Sequence, residues 1–455
     1  MPLEPIPSPP RTPFLGHLPQ IMGPSVIDAF LRMAEAYGPL FRLSLRNEII
    51  AITSAELLGE ILSHPHHKYI SAPLRELRTV VEDALFTAYT HEPNWGRAHE
   101  ILVPAFRRQA MAAYFGAMRE MAETMLAHWD SLPEGTRVDV PEQMTRLTFD
   151  TIGLCGFGYR FDSFARDDPH PFVGSMIGAL VEALRRVQVP RPVVPLRFRA
   201  NRRFRHDVAT MNETVDALIR QRRAEGRRTD GTDLLEQMLH VATAEGETLD
   251  DVNIRQQILT FLIAGHETTS GALSFALHYL LRDDEVLART VAEVDEVLGD
   301  TEHPTMEQVK KLKLVQRVLK EALRLWPTAP AFSVALEEDT VIAGRWLVPK
   351  DVQLMVLLPA LHRDPAAWPD PDRFDPDRFL RANERTRPPH AYKAFGHGQR
   401  ACIGAQFAML EASLVLGMVL QRYRLVPDPG YELKLKETLT IKPDGQFVAL
   451  HRRRR

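Results

Sequence analysis

Apolar and polar residues alternate in two stretches of the chain, LFRLSLRNEIIAITS at 40–54 and VALEEDTVIAGRWLVPKDVQLMVL at 334–357. A period of two sends every second side chain to one face, so both predict half-buried strands. Elsewhere the apolar positions recur at helical spacing. This holds from about Gln109 to Trp129, from Phe149 to Phe157, and from Ile403 to about Tyr423. The pattern predicts a mainly α chain with small β-sheets, its β-rich part near 38–54 and 332–358 and the remainder helical. No internal repeat interrupts this reading.

One predicted helix differs from the others. A capping pattern, TLDD from Thr248, leads into VNIRQQILTFLIAGHETTSGALSFALHYLLR at 252–282. At 1.5 Å per residue this helix is about 45 Å long, enough to cross a large domain. It is apolar on nearly all sides, which predicts burial. In its middle stand Ala264, Gly265, His266, Glu267, Thr268 and Thr269. Ala264 and Thr268 are one turn apart and share a face. A small residue beside a hydroxyl makes a shallow notch, against which a flat or small molecule could lie. The competing reading is structural: mid-helix threonines often bond back to the carbonyl one turn earlier. HETTS is not a zinc-protease helix, because Ser270 stands where the second histidine belongs.

Two polar stretches separate helices. Residues 185–205 hold eight arginines and three prolines. They predict a solvated loop, with a membrane surface or an acidic partner as the alternative role. Residues 220–233 predict a charged connector, and the terminal HRRRR a disordered tail or the start of a linker.

Composition narrows the class. The 455 residues are 45% hydrophobic and 25% charged, an ordinary globular balance. A net charge of −3 gives no global pull toward nucleic acid. Two cysteines, Cys155 and Cys402, cannot make a disulfide framework, which suggests a reducing compartment. The proline-rich start lacks a signal peptide's apolar run, and no segment has 18 consecutive apolar residues. A cytoplasmic protein without an integral membrane segment is expected.

The candidate chemistry lies in FGHGQRACIG, residues 395–404. Cys402 sits just ahead of a predicted helix, where unpaired N–H groups and the helix dipole favour a thiolate. Gly396, Gly398 and Gly404 free the backbone to fold tightly and leave room for a wide, flat object. Arg400 offers a guanidinium to a carboxylate. A structural zinc site would need further ligands nearby, and there is no CxxC or CxxH. A catalytic thiol would want more than His397 beside it. Axial thiolate ligation of haem iron accounts for all the parts together.

Phe395, Gly398, Arg400, Cys402 and Gly404 resemble the haem-binding signature of the cytochrome P-450 family. AGHETT, Ala264 to Thr269, is similar to that family's oxygen-activating stretch on its long central helix. EALR, Glu321 to Arg324, resembles its ExxR, and FDPDRF, Phe374 to Phe379, its arginine-bearing meander. The stretches 145–164, 259–277 and 321–332 resemble bacterial fatty-acid hydroxylases whose haem domain is fused to a diflavin reductase. The similarity runs from about Phe14 to Gly445.

The resemblance implies one cytochrome P-450 haem domain over 1–455, carrying haem b with Cys402 as iron ligand. It implies that Arg400, Trp95, His99 and Lys68 serve the propionates and that Phe395 tunes the thiolate. Ala264 and Gly265 would leave space for oxygen and the ring. Thr268 would hold oxygen and order a water, with Glu267 as the link to a proton source. Glu321, Arg324 and Arg378 would form a buried structural network. Phe86, Ile263, Ala329 and Leu439, with Val81 and Leu180, would line an apolar substrate pocket. Arg46 would anchor a fatty carboxylate, while Ala51 falls where a second anchor, a tyrosine, is expected. Cys155 would be a buried core thiol. The implied reaction is subterminal hydroxylation of medium- or long-chain fatty acids by O₂. The alternatives are another apolar substrate or a non-catalytic haem sensor. GHGQRACIG has the wrong spacing for a dinucleotide loop, and no flavin or iron–sulfur motif is present. NADPH, FAD and FMN would therefore act only through a reductase, as partner or as a missing fused domain.

Overall fold

The computed structural model describes residues 3–45, 47–65, 67–69, 76–166, 168, 170–189, 191–227 and 233–453. Their contacts group into two compact units.

The first unit comprises residues 1–72, 317–402 and 435–442. The alternating stretch at 40–54 folds as an antiparallel hairpin of Leu40–Ser44 and Glu48–Ile52. Its second strand runs parallel to Gln353–Leu357, which pairs with Ala331–Leu336, and His67–Tyr69 closes a five-stranded sheet. Both faces are covered. Leu40, Ile50 and Ile52 join a core with Leu58, Val356 and Trp368. Phe41, Leu43, Ile49 and Ala51 face the other way, onto Phe30 and Met33 of helix Val26–Tyr37. Ala51 is fully buried there and carries no polar group, so it supplies no anchor itself.

The second unit comprises residues 73–316, 403–434 and 443–455. Its centre is the long helix, observed as Asp251–Leu280. The Asp250 carboxylate caps it by accepting from the Asn253 N–H at 2.8 Å. Val140–Phe157 and Ala405–Arg422 pack against it. The first of these extends the expected helix at Phe149–Phe157 by more than two turns, since Pro141 in its first turn favours an earlier start. No helix among the described residues is long and apolar enough to cross a membrane.

Three polar stretches differ from expectation. The loop predicted at 185–205 narrows to a break around the prolines: helix Pro171–Gln188 enters it, and helix Phe198–Glu225 begins within it. Past Pro195 the arginines favour helix, and nothing there breaks it. The same helix consumes the first half of the connector at 220–233 and stops at Gly226, whose φ is +76°. Of the terminal HRRRR, expected as a disordered tail or linker, residues 451–453 are described and make regular contacts. His451 and Arg452 belong to strand Phe447–Arg452, and Arg453 makes a bidentate pair with Asp295 at 2.8 and 2.7 Å.

Candidate functional site

In the first unit, residues 395–402 form a closed loop. The Cys402 N–H donates to the Phe395 carbonyl at 2.8 Å, and Gly398–Arg400 makes one 3₁₀ turn between them. Gly398 has φ +63°, and a Cβ there would come within 2.3 Å of the Tyr69 hydroxyl. Its smallness therefore admits Tyr69, a residue with no mark in the motif. Cys402 is exposed, whereas Cys155 of the second unit is buried with its thiol 3.6 Å from the Tyr114 carbonyl. Burial pushes the Cys155 thiol well above its ordinary pKa, so it stays protonated and inert.

Behind this loop, Glu321 and Arg324 on helix Lys313–Leu325 are both fully buried. All five guanidinium protons of Arg324 are used. Two go to the Glu321 carboxylate at 2.7 and 2.8 Å. The other three go to the carbonyls of His362, Pro371 and Arg373 at 2.9, 2.6 and 3.1 Å. Glu321 also accepts from the Asp375 N–H at 2.9 Å and lies 3.4 Å from the Arg378 Nε. The arginine thus pins three turns of irregular chain whose carbonyls no regular element satisfies.

His362 extends the network, and nothing in the sequence singles it out. Its Nε2 accepts from the Lys393 N–H at 2.9 Å, so its Nδ1 carries the proton and donates to the Arg324 carbonyl at 3.1 Å. This neutral tautomer ties the ExxR helix to the chain entering the cysteine loop. Burial, the largest cause, depresses its pKa from 6.5 to about 3. Below pH 6.5 the unfolded chain takes up a proton that folded His362 refuses. Its contribution to stability therefore falls as pH drops from about 6.5 toward about 3, by about 1.4 kcal/mol per unit. Urea unfolding at pH 7.5 and pH 5 should show a smaller acid loss in His362→Gln than in the parent; an equal loss contradicts the assignment.

In the second unit, the long helix is buried at every position from Gln256 to His278 except Ala264, Gly265, Glu267 and Thr268. At 100° per residue these four share one side of the helix. The Thr268 hydroxyl donates to the Ala264 carbonyl at 2.8 Å, which is the structural role anticipated for it. Its oxygen can still accept. A Cβ on Gly265 would lie 3.1 Å from Ile152 Cγ1, so the missing side chain there serves packing against helix Val140–Phe157. In the direction of that Cβ, the space expected from Gly265 for a ring is taken by a neighbouring helix. His266 turns inward, with Nδ1 2.5 Å from the Leu262 carbonyl and Nε2 3.4 Å from a Glu267 oxygen.

Trp95 and His99, on helix Pro93–Leu102, stack at 4.9 Å between ring centroids. Their four-residue spacing brings them together as expected. Lys68, in the first unit, lies 2.5 Å from the Asp351 carboxylate, so its charge already has a partner. Val81, Leu180 and Ile263 are buried on elements that pack together in the second unit, and Phe86 is 37% exposed. Ala329 and Leu439 belong to the first unit, where the Ile441 N–H donates to the Thr328 carbonyl at 2.9 Å and holds their segments together. Arg46 lies outside the described residues.

The first unit offers an exposed thiol with Arg400 two residues away, and the second a narrow strip of small and polar groups on a buried helix. Gly404 adds an open position, since a Cβ there would meet only Phe106, at 3.8 Å. Among the described residues no three His, Cys, Asp or Glu side chains converge on a metal site. A single protein donor to a porphyrin-held iron is the arrangement these groups suit.

The mainly α fold with small sheets and this constellation define a haem-thiolate protein. The cytochrome P-450 family model matches residues 6–449, and the chain belongs to that family. It is 48% identical over 447 residues to the bifunctional cytochrome P-450/NADPH–P-450 reductase of Bacillus cereus. It is 46% identical over 454 residues to the bifunctional cytochrome P-450/NADPH–P-450 reductase 1 of Bacillus subtilis. These alignments cover 97% and 99% of the chain but 42% of each relative. A solved cytochrome P-450DA haem domain superposes with a TM-score of 0.94 at 43% identity, covering 100% of this chain and 99% of that one.

Proposed function

We propose that this chain is the haem domain of a monooxygenase that hydroxylates medium- or long-chain acyl substrates at subterminal positions. Electrons would come from NADPH through a diflavin reductase, as partner or as further chain, and the protein would work in the cytoplasm. The chain spans about two fifths of its bifunctional relatives, whose names join the same two activities. The observation that carries the reading is the strip Ala264–Thr268, the one interruption in an otherwise buried stretch of helix from Gln256 to His278. A haem-binding sensor would need Cys402 but no such strip.

Cys402 would ligate the iron, with Phe395, Gly398 and Gly404 shaping the loop and Arg400, Trp95 and His99 meeting the propionates. Haem with a thiolate ligand supplies reductive activation of O₂ and cleavage of the O–O bond. The chain's own residues control protons. Thr268 commits its hydroxyl proton to Ala264, so its oxygen is free to accept a hydrogen bond from an ordered water and hold it in place. Glu267, one residue earlier, would replenish that water's proton. Ile263, Val81, Leu180 and Phe86, with Ala329 and Leu439, would exclude water around an acyl chain. Thr268→Ala, assayed with a reductase, should keep oxidising NADPH while the fraction of electrons found in product falls several-fold. Unchanged coupling would remove Thr268 from this role.

Ala51, buried and without a polar group, supplies no second anchor for a carboxylate. The acyl reading is tested by substrate-induced spin-state shifts with fatty acids against their amides and alcohols. Equal affinity for all three would overturn carboxylate recognition, and no shift with any would overturn the acyl reading.

A further inference from the structure

Residues 183–206 contain eight arginines and no aspartate or glutamate, in a chain whose net charge is −3. Some of that charge is neutralised. Arg186 and Arg197 share Glu182 at 3.2 and 2.7 Å, and Arg203 lies 3.8 Å from Asp207. Arg199, Arg202 and Arg205 are exposed and form no ion pair among the described residues. Apolar side chains stand out beside them: Phe198 is 74% exposed, Leu196 65% and Val193 42%.

Helix periodicity sorts these groups. Phe198, Arg202 and Arg205, spaced i, i+4 and i+7, lie on one side of helix Phe198–Glu225. Phe204, Asp207 and Met211 are buried on the opposite side. The outward face therefore combines a projecting phenyl ring with guanidinium groups. Beside it, Val194, Pro195 and Phe198 line an open groove between Arg186 and Arg205. A soluble protein gains nothing by holding Phe198 and Leu196 in water. Projecting apolar groups ringed by unneutralised arginines match a soft, anionic, amphiphilic partner.

We propose that this face docks on an anionic lipid bilayer, with Leu196 and Phe198 entering the acyl boundary and Arg199, Arg202 and Arg205 meeting lipid phosphates. The helix lies in the interface, and no segment spans the membrane. This does not depend on the reaction proposed above, and acyl substrates would be concentrated at the same surface.

The test is flotation of the haem-loaded full chain with phosphatidylglycerol vesicles and with phosphatidylcholine vesicles. Binding to the first should exceed binding to the second by roughly tenfold or more, and should weaken with salt. The exposed substitutions R199Q/R202Q/R205Q should abolish the preference for phosphatidylglycerol. L196S/F198S should weaken binding to both compositions, with thermal unfolding of both variants matching the parent. Equal binding to the two lipids, or parental binding by both variants, overturns the proposal. Absence of binding to either vesicle also overturns it and leaves the face to an acidic protein.

Discussion

Arg324→Ala should leave little haem-loaded protein and should lower unfolding stability by about 3–5 kcal/mol, the cost of stranding one member of a buried pair. Few single changes at this site can do more, since a domain has only about 5–15 kcal/mol in hand. The size follows from geometry. Removing the guanidinium leaves the Glu321 carboxylate buried with the Asp375 N–H and the more distant Arg378, and it orphans three carbonyls. Arg324→Lys should rescue little, because an ammonium has three donors and cannot present the planar fork that meets Glu321 bidentately. Glu321→Leu combined with Arg324→Met should be less destabilising than Arg324→Ala, since no unpaired charge remains. Urea titration of the three variants checks the order. An Arg324→Ala protein as stable as the parent would show that the network does not hold the chain between His362 and Asp375.

The same network shows what the sequence could and could not disclose. The three-residue spacing of Glu321 and Arg324 predicts a pair on one helix face, and the pair is there. His362 and Tyr69 carry no such signal, because their roles come from distant chain. One accepts a backbone proton 31 residues away, and the other fills the space above Gly398. Thr268 was legible as a hydroxyl on a shared face with Ala264. The packing that requires a glycine at 265 was not legible, since Ile152 is remote in sequence. The helical start at Phe198 was hidden by three prolines just upstream, whose influence ends at Pro195. Local periodicity reports which side of an element is buried, and long-range packing decides against what.

Cys402→Ala should have the second large effect, of a different kind. Cys402 is exposed, closes its loop through a backbone bond to Phe395, and belongs to no disulfide. Its side chain therefore contributes little to folding, and unfolding of the variant without haem should match the parent. What disappears is the sole cysteine able to act as a thiolate donor here, since Cys155 is buried and held protonated. Cys402→Ser would retain size and hydrogen bonding but replace a soft sulfur with a poor oxygen donor, so it should not restore the parental state.

The central claim is thiolate ligation by Cys402, and the reduced, carbon monoxide-bound absorption spectrum measures it directly. The parent should show the strongly red-shifted Soret band that a thiolate ligand produces, and Cys402→Ala should lack it at equal haem content. Persistence of that band in Cys402→Ala, or its absence from the parent, would contradict the account.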